Sequence, residues 1–325
     1  MTQKAVRLYI ETLENDYLPA VQQGFDWVGV QSFLKWGEKV CVKPNLTFPT
    51  FREGVMTNPA ALEAVVVHLK NFTNEITICE SDMGGYNRFS MDEVFRKTGI
   101  AEFAKRHGVR ICNMSFVQSR SVSCQIGRKT LSVPLPSFLL DEADLFVTMP
   151  VPKVHSNTIV SLALKNQWGL IQDPALRLKL HPFFKEVICE INKLLPRALA
   201  VVDGKFGLNR NGPLRGDPVL LNWILISNDL FVTDLVVSDL MGFDWRKIPY
   251  LRYAFEREAI KSLEGVGFNR DYGDFKKDKF LLKRDWTDYP GLLTFNSRLL
   301  AYIGYESVLA RPLHRLLSKF REPFY

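Results

Sequence analysis

The segment from Val151 to Leu170, VPKVHSNTIVSLALKNQWGL, sets Lys153, His155, Lys165 and Asn166 among apolar neighbours. Lysine binds carboxylates and phosphates through charge, and an imidazole exchanges protons near neutrality. Lys153 and His155 follow directly on ADLFVTMP, an apolar run that reads as a strand, and Ser156 or Asn157 is placed to cap a helix after it. A helix from Ser156 to Leu170 would carry Asn157, Ser161 and Lys165 along one face and aim free backbone N–H groups at an anion. Each residue alone reads as readily as a solvent-facing or snorkelling side chain. Joined by Lys43, at the end of EKVCVKPN, they make a cationic group that would repel itself unless an anion entered it.

Two further stretches carry polar residues in apolar settings. In VVDGKFGLNRNGPLRGDP, Val201 to Pro218, Asp203 ends a strand, while Gly204, Gly207, Gly212 and Gly216 permit tight turns and close backbone approach. The spacing matches neither the Walker nor the Rossmann pattern, so it reads as a ligand loop or a turn-rich connection rather than a nucleotide site. In ISNDLFVTDLVVSDLMG, Asp229 is suited to cap a helix, and Asp234 lies inside that apolar helix, where it would pair with a lysine. His68, His107 and His314 carry no assigned role, and the HExxH, GxSxG and CxxC patterns are absent.

The elements that must position these groups are legible from periodicity. KAVRLYI, EKVCVKPN, EITICESD, GVRICNM, ADLFVTMP, ALAVVDG and NWILISND read as strands, and Asn58–Phe72, Ser90–His107, Ser156–Leu170, Pro182–Leu195 and Leu230–Met241 as helices. Alternation of this kind predicts an α/β fold, a mostly parallel sheet with helices on both faces, in which ligands gather at the carboxyl ends of the strands. Lys43-Pro44-Asn45, Glu80-Ser81-Asp82, Lys153-Val154-His155, Asp203-Gly204 and Asn228-Asp229 are five such exits, expected on one rim. The α/β domain is drawn over residues 1–244 and a basic, aromatic C-terminal extension, helical or irregular, over 245–325. The extension, including TFNSRLLAYIGYESVLARPLHRLLSKF, is expected to pack on the body; the alternative is a membrane surface, with Arg298, Arg311, Arg315 and Lys319 outward.

Composition bounds the classes. With 325 residues, 46% hydrophobic and 24% charged, the chain is globular rather than disordered, and without a signal peptide or spanning segment a cytoplasmic location is expected. Cys41, Cys79, Cys112, Cys124 and Cys189 fit neither a disulfide framework nor a metal spacing and read as small core residues. The net charge is +7, and residues 245–325 hold 16 Lys plus Arg against 10 Asp plus Glu. No nucleic-acid module accompanies that charge, so nucleic acid is not an expected partner.

The succession VKPN, TNPAALEAVV, ESD, PxPKVH, LALKNQWGLI, VVDG, NGPLRGDP and SNDLFVTDLVVSDLMG, from about Val40 to Gly242, resembles the family called domain of unknown function 362. Lys43, Asn45, Lys153, His155, Lys165, Asn166, Asp203, Gly212, Pro213, Gly216 and Asp234 match its pattern. Asn58 stands where the family has histidine, and Val151 where it has a lysine. The resemblance implies an α/β fold. Many members carry a ferredoxin-type cysteine cluster that implies redox chemistry, but this sequence has none, and an intrinsic iron–sulfur centre is not expected.

The resulting expectation is an enzyme, of unassigned reaction, acting on a small anionic metabolite, carboxylate or phosphate. His155 and Lys153 are the expected catalytic groups, with His155 as general acid or base. Lys43, Asn45, Lys165, Asn166, Gly212 and Gly216 are expected to bind substrate, and Asp203 and Asp234 to orient a lysine or hold a divalent metal ion. The alternatives are a redox enzyme or partner subunit drawing on an external iron–sulfur or flavin protein, and a non-catalytic anion-binding or membrane-docking protein.

Overall fold

The computed structural model describes residues 5–14, 16–83, 89–257, 263–276, 279–305 and 307–317. In chain order the strands are β1 (Arg7–Thr12), β2 (Val40–Pro44), β3 (Ile76–Glu80), β4 (Arg110–Asn113), β5 (Ser119–Ile126), β6 (Lys129–Pro136), β7 (Leu145–Met149), β8 (Lys153–His155), β9 (Ile159–Ser161), β10 (Arg197–Asn209), β11 (Asp217–Ser227) and β12 (Gly267–Phe268). All seven runs read as strands form strands. The main sheet runs β12-β1-β11-β10-β7-β2-β3-β4, with β8 on β10 and β9 on β8, and β5 and β6 form a separate antiparallel hairpin. From β10 through β7, β2 and β3 to β4 every neighbour is parallel.

Side chains alternate across this sheet and both faces are covered. Val40, Val42, Leu145, Val147, Leu199 and Val201 point into one core, and Cys41, Phe146, Ala200 and Val202 into the other. That explains why β2 and β7 are buried at every position and apolar except for Lys43 and Thr148. Helices α1 (Leu18–Val28), α2 (Pro59–Leu69), α3 (Met91–Lys97) and α4 (Ile100–His107) close the first core. Helices α5 (Ser137–Asp141), α6 (Ala163–Asn166), α7 (Pro174–Leu180), α8 (Phe184–Leu194), α9 (Leu230–Leu240) and α10 (Pro249–Glu256) close the second. Fully burying each Val, Leu or Ile contributes about 1.5–3 kcal/mol, so the two faces, rather than any helix alone, hold the fold.

The local signals act as their chemistry requires. The Asn58 side chain accepts the Ala60 N–H at the start of α2, and Asp229 accepts from Phe231 and Val232 at the start of α9. The helix expected over Ser90–His107 is two helices, broken at Gly99, whose φ of 78° suits glycine. The helix expected over Ser156–Leu170 is overturned. Lys153–His155 is a strand turning into β9, and the chain becomes helical only at Ala163–Asn166, followed by a short 3₁₀ turn over Gln167–Leu170. Asn157, Ser161 and Lys165 therefore do not share a helix face. The rim is also smaller than expected. β11 runs antiparallel to β10, so Asn228-Asp229 leaves at the opposite end of the sheet, where Asn228 bonds Arg7 N–H and the Ala5 carbonyl.

Beyond Trp245 the chain divides. Tyr250, Leu251 and Ala254 of α10 are buried in the second core. Helices α11 (Tyr289–Asn296), α12 (Arg298–Tyr305) and α13 (Ala310–Leu317) follow, with most of their large apolar side chains exposed. Lys319 and the side chains of Arg311 and His314 lie outside the described residues.

One close approach fixes how β10 meets β11. A Cβ on Gly204 would lie 2.2 Å from the buried Trp223 ring. Gly204→Ala is expected to destabilise the protein by about 1–3 kcal/mol through overpacking. Urea unfolding measures this, with Gly265→Ala, in open space but at positive φ, separating backbone strain from the clash.

Candidate functional site

The carboxyl ends of β2 and β3 deliver Lys43 and Glu80, and these meet in a buried ion pair, Nζ to Oε2 2.8 Å, with side chains 2% and 6% exposed. Glu80 was visible in the sequence only as part of a strand exit, so the partner of Lys43 was missed there. Gly169 lies against the pair: a Cβ there would be 3.0 Å from Glu80 Oε1 and 3.2 Å from Lys43 Nζ. Asn166 Nδ2 donates to Thr148 Oγ1 at 2.9 Å and to the Lys43 carbonyl at 3.3 Å, tying α6 to β2 and β7. The Asn45 N–H donates to Thr57 Oγ1, so the backbone of Asn45 serves the turn after β2.

Arg177 of α7 is a second cation at this rim, and no local pattern singles it out. It is buried, and its donors reach the Ile171 carbonyl at 2.6 Å, the Asp82 carbonyl at 2.7 Å and Ser81 Oγ at 2.7 Å. Burial lowers its pKa to about 10, against the pull of Glu80, Asp82 and Asp173.

Lys153 and Lys165 are held differently. Lys153 is buried, and its Nζ donates to the Val55 carbonyl at 2.8 Å. Loss of hydration, then repulsion from Lys165, lowers its pKa to about 7. Lys165 on α6 is half-buried with its Nζ 5.6 Å above the Phe184 ring, and among the described residues it has neither a carboxylate nor a hydrogen-bond partner. Loss of hydration, then Arg177, lowers its pKa to about 8. Both amines thus exchange protons near neutrality.

His155 sits on β8 at the start of a tight turn. Its Nδ1 accepts the backbone N–H groups of Asn157 and Thr158 at 3.1 and 3.3 Å. Burial, then Lys165, pushes its pKa well below the usual imidazole value. The neutral ring therefore carries its proton on Nε2 and presents a donor. Ile159, closing this turn, has φ 70°, a conformation costing a β-branched residue about 1–3 kcal/mol. His181 was also missed. Asn157 Nδ2 lies 3.1 Å from its Nδ1, burial lowers its pKa to about 3, and its ring stacks on Phe184 and Phe295.

The carboxylates of Asp203 and Asp234 meet backbone donors and tyrosines in this structure. Asp203 Oδ1 accepts from Tyr17 Oη at 2.9 Å, and its Oδ2 accepts the Asn58 N–H at 2.7 Å. Asp234 accepts the Ala163 and Leu164 N–H groups, the first at 2.7 Å, and Tyr250 Oη at 3.2 Å. Burial raises the pKa of both, that of Asp234 to about 8. Each anchors a helix start and a tyrosine, Asp203 also accepts the Lys205 N–H at 3.3 Å, and neither hydrogen-bonds a lysine ammonium among the described residues. Among the described residues no three His, Cys, Asp or Glu side chains gather closely enough to hold a metal ion.

Gly212 and Gly216 shape the backbone beside the turn. A Cβ on Gly212 would fall 1.8 Å from the Val154 carbonyl, and the Gly212 carbonyl accepts the Ser156 N–H at 3.0 Å. Gly216 has φ 144° and a Cβ there would meet the Asn209 carbonyl at 2.3 Å. The five cysteines are free; Cys112 is partly buried and the others are buried.

The chain is thus an α/β protein with a cluster of buried and half-buried cations at one end of its sheet. It belongs to the family described as Domain of unknown function (DUF362), whose profile matches residues 40–239. Among curated proteins it is similar to the thylakoid-associated protein sll1697 of Synechocystis, 24% identical over 230 residues, which are 68% of each chain. Among solved structures it is similar to the lactate racemase apoprotein of Thermoanaerobacterium thermosaccharolyticum, with a TM-score of 0.44 and 14% identity over 74% of this chain and 58% of that one. A Thermotoga maritima protein gives a TM-score of 0.42 and 15% identity over 75% of this chain and 60% of its own. The chain spans less than two thirds of the length of either structure.

Removing one partner of the buried pair leaves the other charge unsolvated. Glu80→Gln is expected to cost about 3–5 kcal/mol of stability, and adding Lys43→Met to recover most of it. A double-mutant cycle in urea checks this; equal losses in the single and double variants would show that the pair does not govern the rim.

Proposed function

We propose that this chain is an enzyme acting on a small anionic metabolite, a carboxylate or phosphate, held at the carboxyl rim of the sheet by Lys165, Lys153 and the Nε2–H of His155. The observation that carries this reading is the Lys165 amine, half-buried over the Phe184 ring, with neither a carboxylate nor a hydrogen-bond partner among the described residues and a pKa of about 8. An anion supplies the missing counter-charge to Lys165 and Lys153 together. Lys43 is already neutralised by Glu80, so it fixes the geometry of the rim instead of meeting the ligand.

The same groups suit proton transfer. An amine whose pKa is about 7 or 8 in the free protein takes up a proton as the anion binds, so Lys153 or Lys165 then stands beside the substrate as an ammonium able to donate that proton. His155, whose Nδ1 is occupied by backbone donors, contributes a hydrogen bond to developing negative charge. The general acid or base role expected of the histidine is accordingly assigned to a lysine, acting as the acid.

The pH dependence follows from linkage. Both lysines have depressed pKa values in the free protein, and an anion raises them toward 10.5, so binding takes up protons above pH 7. Affinity for inorganic phosphate or acetate should be greatest at and below pH 7 and fall above pH 8, approaching ~tenfold per pH unit for each lysine. Titration calorimetry in buffers of different ionisation enthalpy measures the affinity and the protons together. Lys165→Met should weaken binding at least ~tenfold and reduce the proton uptake. An affinity independent of pH, or unchanged in Lys165→Met, would remove the proposed site.

A further inference from the structure

Among the described residues, ten of the seventeen exposed large apolar side chains fall between Trp286 and Leu316. Trp286 is 70% exposed, Leu293 64%, Leu299 67%, Tyr302 54%, Val308 93% and Leu316 52%. Monomeric soluble proteins rarely gather apolar side chains in this way without a partner. The inward side of the segment is already committed: Ala301 and Ala310 are buried, Phe295 stacks on His181 at 4.5 Å, and Arg298 lies 4.1 Å from the Phe183 ring centre. The apolar side chains named above are what remains outside.

We propose that this outer face docks on an anionic lipid bilayer. Three features select that occupant. Helices α11, α12 and α13 are eight residues each, about 12 Å long, and so lie in an interface rather than cross a core about 30 Å thick. No helix among the described residues is long and apolar enough to cross a membrane. The residue types are those of an interfacial belt, with Trp286, Tyr289 and Tyr302 among leucines. The charge is complementary: residues 286–317 contain three arginines, of which Arg298 packs on Phe183, against Glu306 and the buried Asp288, and the last quarter of the chain carries most of the net positive charge. The inference is independent of the anion chemistry proposed for the sheet rim.

Vesicle co-sedimentation of the full chain tests it, with phosphatidylcholine alone and with phosphatidylglycerol added. The protein should sediment with the anionic vesicles, less with the neutral ones, and less again as salt is raised. A Leu299→Glu, Val308→Glu variant, altering two exposed side chains, should lose at least ~tenfold in vesicle affinity while its melting temperature stays that of the parent. Absence of binding to anionic vesicles by folded protein would overturn the proposal, as would a variant that binds like the parent. A parent that is dimeric by light scattering and a variant that is monomeric would also overturn it, assigning the face to a second copy of the chain.

Discussion

The free energy of removing an ammonium group from water sets the terms for this site. Four cations, Lys43, Lys153, Lys165 and Arg177, gather at one end of a sheet whose interior is apolar, and the chain compensates them unequally. Lys43 has a carboxylate at 2.8 Å, and Arg177 has a set of carbonyls and a hydroxyl. Lys153 has one carbonyl, and Lys165 has an aromatic face. Burial lowers both lysines that lack a carboxylate, Lys153 to about 7 and Lys165 to about 8, and Lys153 falls further because Lys165 and Lys43 repel it as well.

The imbalance arises because the nearby acids are spent on architecture. Asp234 reaches from α9 to the first N–H groups of α6, and that bond sets the helix on which Lys165 stands. Asp203 reaches from β10 to Tyr17 and to the backbone at Asn58, which opens α2. Moving either carboxylate to a lysine would neutralise the site at the expense of a helix start. Asn58 and Val151, the two departures from the family pattern, fit the same division: Asn58 caps α2, and Val151 is buried among apolar neighbours, contributing no charge to the rim.

Much of the fold was legible because parallel strands buried on both faces leave continuous β-branched runs, and all seven became strands. The hairpin of β8 and β9 was not. Its Ser156-Asn157 pair imitates a helix cap, the four-residue spacing to Ser161 and Lys165 imitates a helix face, and a left-handed Ile159 leaves no mark in composition. The rim lysines and His155 were legible as residue types at strand ends. Their partners were not, since Glu80 meets Lys43 across 37 positions and Arg177 meets Ser81 across 96, distances over which local pattern carries no information. The direction of β11 was equally hidden, because an antiparallel neighbour reads the same as a parallel one until the pairing is known.

The segment outside the family match packs against the cluster that the matched segment charges. Residues 40–239 supply the amines, both histidines and the turn at Ser156. Residues beyond them supply cover: Arg284 donates to the Ser156 carbonyl at 2.7 Å, Phe295 stacks on His181, and Arg298 rests on Phe183. Arg284 adds its own repulsion to the forces that keep His155 neutral, and Phe295 covers the ring of His181, whose pKa burial lowers to about 3. The low histidine pKa values at the rim are therefore a joint property: the family core places the two rings, and the segment beyond it sets a charge near one and an aromatic face against the other.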